Sequence, residues 1–238
     1  NIIWITCDEM TTRAMSVYGN KLTSMPAAEQ MAKEGVIFNY TYVQMPKSVP
    51  SRASMITSRY PHCEGHRTLT GKKYFDAAPN IKQNNDFAIA AHEPNLIKFL
   101  RDQGYKTALL GKNHQVDWNL HKKWFDAVSQ WDSPEWKNMP ERFVEEETDE
   151  MKRMHFKGKL KEDYDYNQLP DALCAKWSCD FIRENKDKSF FALIDIGLPH
   201  PSYQELTQMP AYKIPLDKIP MAGPQPLAKV PSVERQYR

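Results

Sequence analysis

The sequence predicts an α/β fold, with a mostly parallel sheet held between helices. Two observations carry that reading. The runs Asn1–Thr6, Tyr105–Leu110 and Ser189–Gly197 are short, apolar and rich in strand formers. Apolar residues at helical spacing lie between them, most clearly Leu96, Ile97, Phe99 and Leu100, then Leu173, Trp177, Phe181 and Ile182. At 238 residues the chain is long enough for one sizeable α/β domain or two small ones.

Composition narrows the function classes. Lys and Arg number 32 against 30 Asp and Glu, so no nucleic-acid or polyanion footprint is expected. No apolar run approaches the roughly 18 residues that a membrane span needs, so no membrane partner is expected either. The four cysteines (Cys7, Cys63, Cys174 and Cys179) are scattered without a C-x-x-C pair, indicating neither a disulfide framework nor a zinc ribbon. His62 and His66 likewise lack an upstream cysteine pair at finger spacing.

Taken in order, Asn1–Thr6 reads as a buried strand ending in Cys7-Asp8-Glu9. That places two carboxylates at the C-terminal edge of a strand, where open α/β sheets bind ligands, although acids there also serve as helix caps. A helix follows Pro26, with Met31 and Ala32 on its apolar face and Gly35 as its C-cap. Val36 to Val43 alternates as a strand that delivers the chain to Ser48. Pro46 and Pro50 keep Lys47 and Ser48 extended. From Pro50 the pattern is helical, with Ser51 as cap and Ala53, Met55 and Ile56 as the apolar side. Ser48 then sits just before a helix N-terminus, where free N–H groups favour an anion. Arg52, one turn in, adds a cation whose fork suits a tetrahedral oxyanion. The same stretch also reads as a capped surface helix with an incidental arginine.

Residues 67–92 are polar and read as a long loop excursion. Glu93-Pro94-Asn95 opens a helix that Gly104 stops. Strand Tyr105–Leu110 runs at once into Gly111-Lys112-Asn113-His114, putting a cation and an imidazole at a second strand end. Trp118, Trp124, Phe125 and Trp131 fit core filling under a loop better than sugar stacking. Residues 133–168 are strongly charged and read as a second excursion. Pro170–Glu184 is an amphipathic helix with Cys174 and Cys179 as packing residues. The last strand leads into Leu198-Pro199-His200-Pro201.

Ser48-x-Pro50-Ser51-Arg52 followed by Ala-Ser-Met-Ile-Thr57 resembles the sulfatase signature, in its serine-type form. Glu34-Gly35-Val36-Ile37-Phe38, the Gly111-Lys112-x-His114 segment and the Pro199-His200-x-Pro pattern are similar to further family motifs. The chain departs from the family pattern at Glu9, where many members carry a second Asp, at Pro26-Ala27-Ala28-Glu29 in place of Pro-Asn-Leu-Asp, at Ser58 for a glycine, and at Ser202 in the last pattern. The resemblance implies an alkaline-phosphatase-like α/β fold and hydrolysis of a sulfate monoester, of a sulfated carbohydrate or aryl compound. It implies that Ser48 is oxidised to formylglycine by a maturase, and that Asp8, Glu9 and the residue-48 oxygen contact a calcium ion. By the same resemblance Arg52 acidifies the nucleophile, Lys112 bridges nucleophile and sulfate, His114 bonds the formylglycine hydrate, and His200 contacts the sulfate or leaving oxygen.

A second metal-ligand pair and a later lysine, usual in the family, have no match between Pro199 and Arg238. The expectation is therefore that residues 1–238 are the N-terminal portion of a sulfatase domain, inactive without the remainder. The family also implies a periplasmic or extracellular location. Two alternatives stand beside it: a phosphatase or phosphonate hydrolase of the same superfamily, and a non-catalytic module that binds sulfated glycans.

Overall fold

The computed structural model describes residues 1–64, 89, 93–113, 116, 121–129, 165–200 and 218. Strands β1 (Ile2–Cys7), β2 (Lys106–Gly111), β3 (Ala127–Ser129) and β4 (Phe190–Ile196) form one sheet in the order β1-β4-β2-β3. Every pairing is parallel. The helices are α1 (Pro26–Glu34), α2 (Ser48–Thr57), α3 (Pro61–Glu64), α4 (Leu96–Asp102), α5 (His121–Trp124) and α6 (Pro170–Asn185).

Side chains alternate across a strand, and in β4 both faces are covered. Phe191 and Leu193 join Leu109 of β2 under α2 and α4, meeting Ala53, Ile56, Ile97 and Leu100. Phe190, Ala192 and Ile194 point the other way, onto Cys174 and Phe181 of α6. The rings of Phe181 and Phe190 meet edge to face, 5.6 Å apart. Trp124 and Phe125 are buried core residues on the α2 side, the role their sequence context predicts. Burial, then the nearby Asp171 carboxylate, push the Cys174 thiol up to about 12, so it packs as an inert apolar group.

Local signals set the element ends. The Asn95 side chain caps α4 by accepting from the Lys98 N–H at 3.0 Å, and Gly104, at φ +83°, turns the chain into β2. Gly111 ends β2 at φ +97°, where an added Cβ would lie 2.2 Å from the Asp195 carbonyl oxygen. Only glycine allows that approach, and it lets Lys112 N–H bond the same oxygen at 2.9 Å.

Several expectations change. Helix α2 begins at Ser48, not after Pro50: Lys47 is its extended N-cap, and Ser51 donates its N–H to the Lys47 carbonyl at 3.0 Å instead of capping. Pro50 sits inside the first turn, where its missing N–H has no helical partner to lose. Residues 36–43 form no strand, and Val36, Phe38, Tyr40 and Tyr42 are exposed. Alternation alone makes no strand without a partner for its backbone groups. β1 is not buried either; it is the edge of the described sheet, with Ile3 and Ile5 about half exposed. Met31 is exposed and α1 buries none of its residues. Cys179 is exposed and not packed.

The short strand β3 carries too little sequence signal to be expected. Of the two excursions, residues 67–88, 90–92 and 133–164 lie outside the described residues, as do His66, Trp118 and Trp131. Ile89, within the first, is buried in the core and bridges in parallel to Val116. Among the described residues, no helix is long and apolar enough to cross a membrane.

Candidate functional site

Strand parity selects what faces α2. Trp4 packs into the core on that side, and at period two Thr6 and Asp8 follow it along β1. On β4, Phe191 and Leu193 are followed by Asp195, and Thr6 stands opposite Asp195 in register. The first turn of α2 lies over this corner. Ser48 and Arg52, four apart, share one helix face, so the Arg52 Nε–H donates to Ser48 Oγ at 3.0 Å.

The rest of the guanidinium turns to carboxylates. Nη1 donates to Asp195 Oδ1 and, at 3.3 Å, to Thr6 Oγ1, while the Thr6 hydroxyl donates to Asp195 Oδ1. Nη2 lies 3.6 Å from Asp8 Oδ1. The ammonium of Lys112, just past the end of β2, donates to Asp8 Oδ2. These four charged groups are nearly dry: Arg52 is 8% exposed, Asp8 6%, Lys112 3% and Asp195 0%. Buried charges persist only when paired, and here two cations meet two anions. Burial by itself would raise the Asp8 pKa. The hydrogen bond and charge of Lys112, then Arg52 and His200, outweigh it and hold the carboxyl below the usual carboxylate range.

A cleft of about 890 Å³ opens beside this cluster, lined by Asp8, Glu9, Lys47, Ser48, Arg52 and His200 among others. Glu9 holds a left-handed backbone, φ +62°, and its Oε1 lies 3.8 Å from His200 Nε2. The loop carrying His200 is tied to α6. Asp171, in the first turn of that helix, accepts from the N–H groups of Gly197 and Leu198, each at 2.8 Å. His200 N–H in turn donates to the Gly197 carbonyl at 3.1 Å.

Of the sequence-predicted residues, Asp8, Glu9, Ser48, Arg52 and His200 share this cleft, and Lys112 reaches the cluster through Asp8. His114 lies outside the described residues. Ser48 is the first residue of α2 itself, not an extended residue before it. Sequence reasoning missed Asp195, Thr6 and Asp171. A signal existed for Asp195, the one acid within the apolar run Phe190–Ile196. Among the described residues no group of three or more His, Cys, Asp or Glu could hold a metal ion.

The model of the family described as Sulfatase matches residues 1–215. The chain is 34% identical over 116 residues to an N-acetylglucosamine-6-O-sulfatase of Bacteroides thetaiotaomicron, covering 49% of this chain and 18% of that protein. It is 34% identical over 125 residues to the steryl-sulfatase of Homo sapiens, covering 52% of this chain and 20% of that protein. The crystal structure of Ps i-CgsB superposes with a TM-score of 0.62 at 22% identity, over 90% of this chain and 49% of that one, a likeness of fold. The chain thus spans about a fifth of the curated relatives and about half of that solved structure. With its family model matched along nearly its whole length, this chain belongs to the sulfatase family.

Proposed function

We propose that the protein containing this chain hydrolyses a sulfate monoester, with residue 48 as nucleophile. The observation that carries the reading is the Arg52 Nε–Ser48 Oγ contact in a cleft that His200 also lines. Arg52 donates to the nucleophilic oxygen and stabilises negative charge on it. Lys112, buried against Asp8 beside the cleft, is proposed as a second cation that offsets the charge of the sulfate group. His200, half exposed and lining the same cleft, is proposed to give a proton to the leaving alcohol. Two of its curated relatives act, by their names, on a sugar sulfate and a steryl sulfate, which supports the ester and leaves the alcohol open.

Oxidation of Ser48 to formylglycine by a maturase belongs to this proposal, because the hydrated aldehyde supplies the second hydroxyl needed to release sulfate and regenerate the site. His114 is proposed to bond that hydrate. Asp8, Glu9 and the residue-48 oxygen are hard donors of the kind calcium takes, yet they fall short of its 6–8 ligands. We therefore place them as part of a calcium shell completed from elsewhere in the whole protein. Calcium there would supply Lewis-acid polarisation of the sulfate and the nucleophile.

The test uses full-length protein, with the peptide containing Ser48 checked by mass spectrometry for the loss of two hydrogens. Matured protein should turn over aryl sulfates and sulfated sugars in preference to aryl phosphates. Ser48→Ala should lower kcat/KM by at least about 10³-fold. Preference for the phosphate, or sulfated-sugar binding without turnover, would reject the reading in favour of a phosphohydrolase or a binding module.

A further inference from the structure

We propose that Asp195 is a positioning residue that locks the Arg52 guanidinium with its Nε–H aimed at the residue-48 oxygen, and that Thr6 anchors Asp195 in turn. The claim deepens the sulfate-ester reading and rests on it.

A carboxylate at this point of β4 is not explained by packing. Phe191 and Leu193 fill the same face with apolar side chains, and Asp195 is wholly buried at the next position. A buried anion costs several kcal/mol unless it is paired and hydrogen-bonded. Its partners include Arg52 Nη1 and the Thr6 hydroxyl. Thr6 completes a closed triangle, since its oxygen also accepts from Arg52 Nη1 at 3.3 Å.

Geometry explains what the triangle does. An arginine side chain has several rotatable bonds, and a second anion competes for this one: Asp8 Oδ1 lies 3.6 Å from Nη2. Asp8 is itself shared with Lys112, beyond the end of β2. β4 pairs on both sides, with β1 and with β2, so Asp195 is an anchor fixed by the sheet. The guanidinium is planar, and holding Nη1 on that anchor while Nη2 faces Asp8 fixes the plane. The Nε–H, in the same plane, then meets Ser48 Oγ at 3.0 Å. Without Asp195 the attraction of Asp8 is unopposed, and the fork turns away from residue 48. Asp195 lines no part of the cleft and bonds the guanidinium that donates to Ser48, so its action passes through Arg52.

The experiment compares full-length Asp195→Asn, Thr6→Val, Arg52→Lys and the Asp195→Asn/Arg52→Lys double variant with the parent, rates being normalised to matured residue 48. Asp195→Asn keeps the shape and one acceptor oxygen, which guards against the unfolding that Asp195→Ala invites. In Asp195→Asn, kcat should fall about 10–100-fold with KM changed less than about threefold. Thr6→Val should show the same split with a smaller loss. The effects of Asp195→Asn and Arg52→Lys should be strongly non-additive, as expected when one residue acts through the other.

A crystal structure of Asp195→Asn supplies a readout independent of turnover: Arg52 should leave Ser48 and move toward Asp8. An unchanged Arg52 rotamer, a kcat within twofold of the parent, or effects that multiply would each overturn the proposal. If the matured parent fails to cleave sulfate esters, the reading of function falls. The crystal structure still decides whether Asp195 holds Arg52.

Discussion

Asp8 is shared between two cations that arrive from different parts of the chain, Arg52 on α2 and Lys112 past β2. Its pKa is held below its unfolded value of about 3.9. A carboxyl shifted in that direction stabilises the fold fully above its unfolded pKa. The contribution is lost as pH falls through the lower folded value. Asp8→Asn removes the buried carboxylate charge that Lys112 and Arg52 share and should cost about 3–5 kcal/mol at pH 7. The gap between parent and variant should shrink below about pH 4, as the parent's own carboxyl takes up its proton. Urea unfolding at stepped pH measures this, and a gap that stays constant down to pH 3 would contradict it. At this scale the strand-end residues were readable, because a polar side chain directly after an apolar run marks the sheet edge. Asp195 was not. Its meaning depends on Thr6 and Arg52, 189 and 143 residues away in sequence.

Among the elements, β4 organises the rest: it pairs on both sides and is buried on both faces. Its close contact with β2 depends on Gly111. Gly111→Ala would bring a Cβ to 2.2 Å from the Asp195 carbonyl oxygen and 2.7 Å from Cys174 Sγ, at a backbone angle that L-residues avoid. The cost should be about 3 kcal/mol, summing overpacking and the left-handed penalty. Chemical denaturation measures it, and a loss under about 1 kcal/mol would mean the two strands separate freely. The ends of α4 and α6 were legible from Asn95, Gly104 and Pro170, since capping and proline chemistry act within one turn. The strand expected over 36–43 failed for the opposite reason: its hydrogen-bond partners are not local.

At the scale of the molecule, the described residues leave apolar surface open along the sheet edge and the segment that precedes α2. Ile3 is 47% and Ile5 51% exposed on β1, and Tyr40 and Tyr42 are 85% and 86% exposed. An edge strand with exposed apolar side chains invites association. The 238-residue chain purified by itself should therefore self-associate at micromolar concentration, and Ile5→Lys should raise its monomer fraction. Sedimentation velocity distinguishes the outcomes; a monomeric parent, or a variant that associates equally, would count against the exposed edge as the cause.

By itself the sequence determined the α/β class, the three longer strands and the residues at their ends, because apolar periodicity, caps and strand-end polarity are properties of neighbours in the chain. It also carried the family motif around Ser48. Only the tertiary structure decided that α2 starts at Ser48, that β1 lies at the described sheet's edge, and that Asp195 and Thr6 hold Arg52. Those depend on which strand lies beside which and on the parity of their side chains. Such pairing is set by packing between distant segments, and no local pattern encodes it.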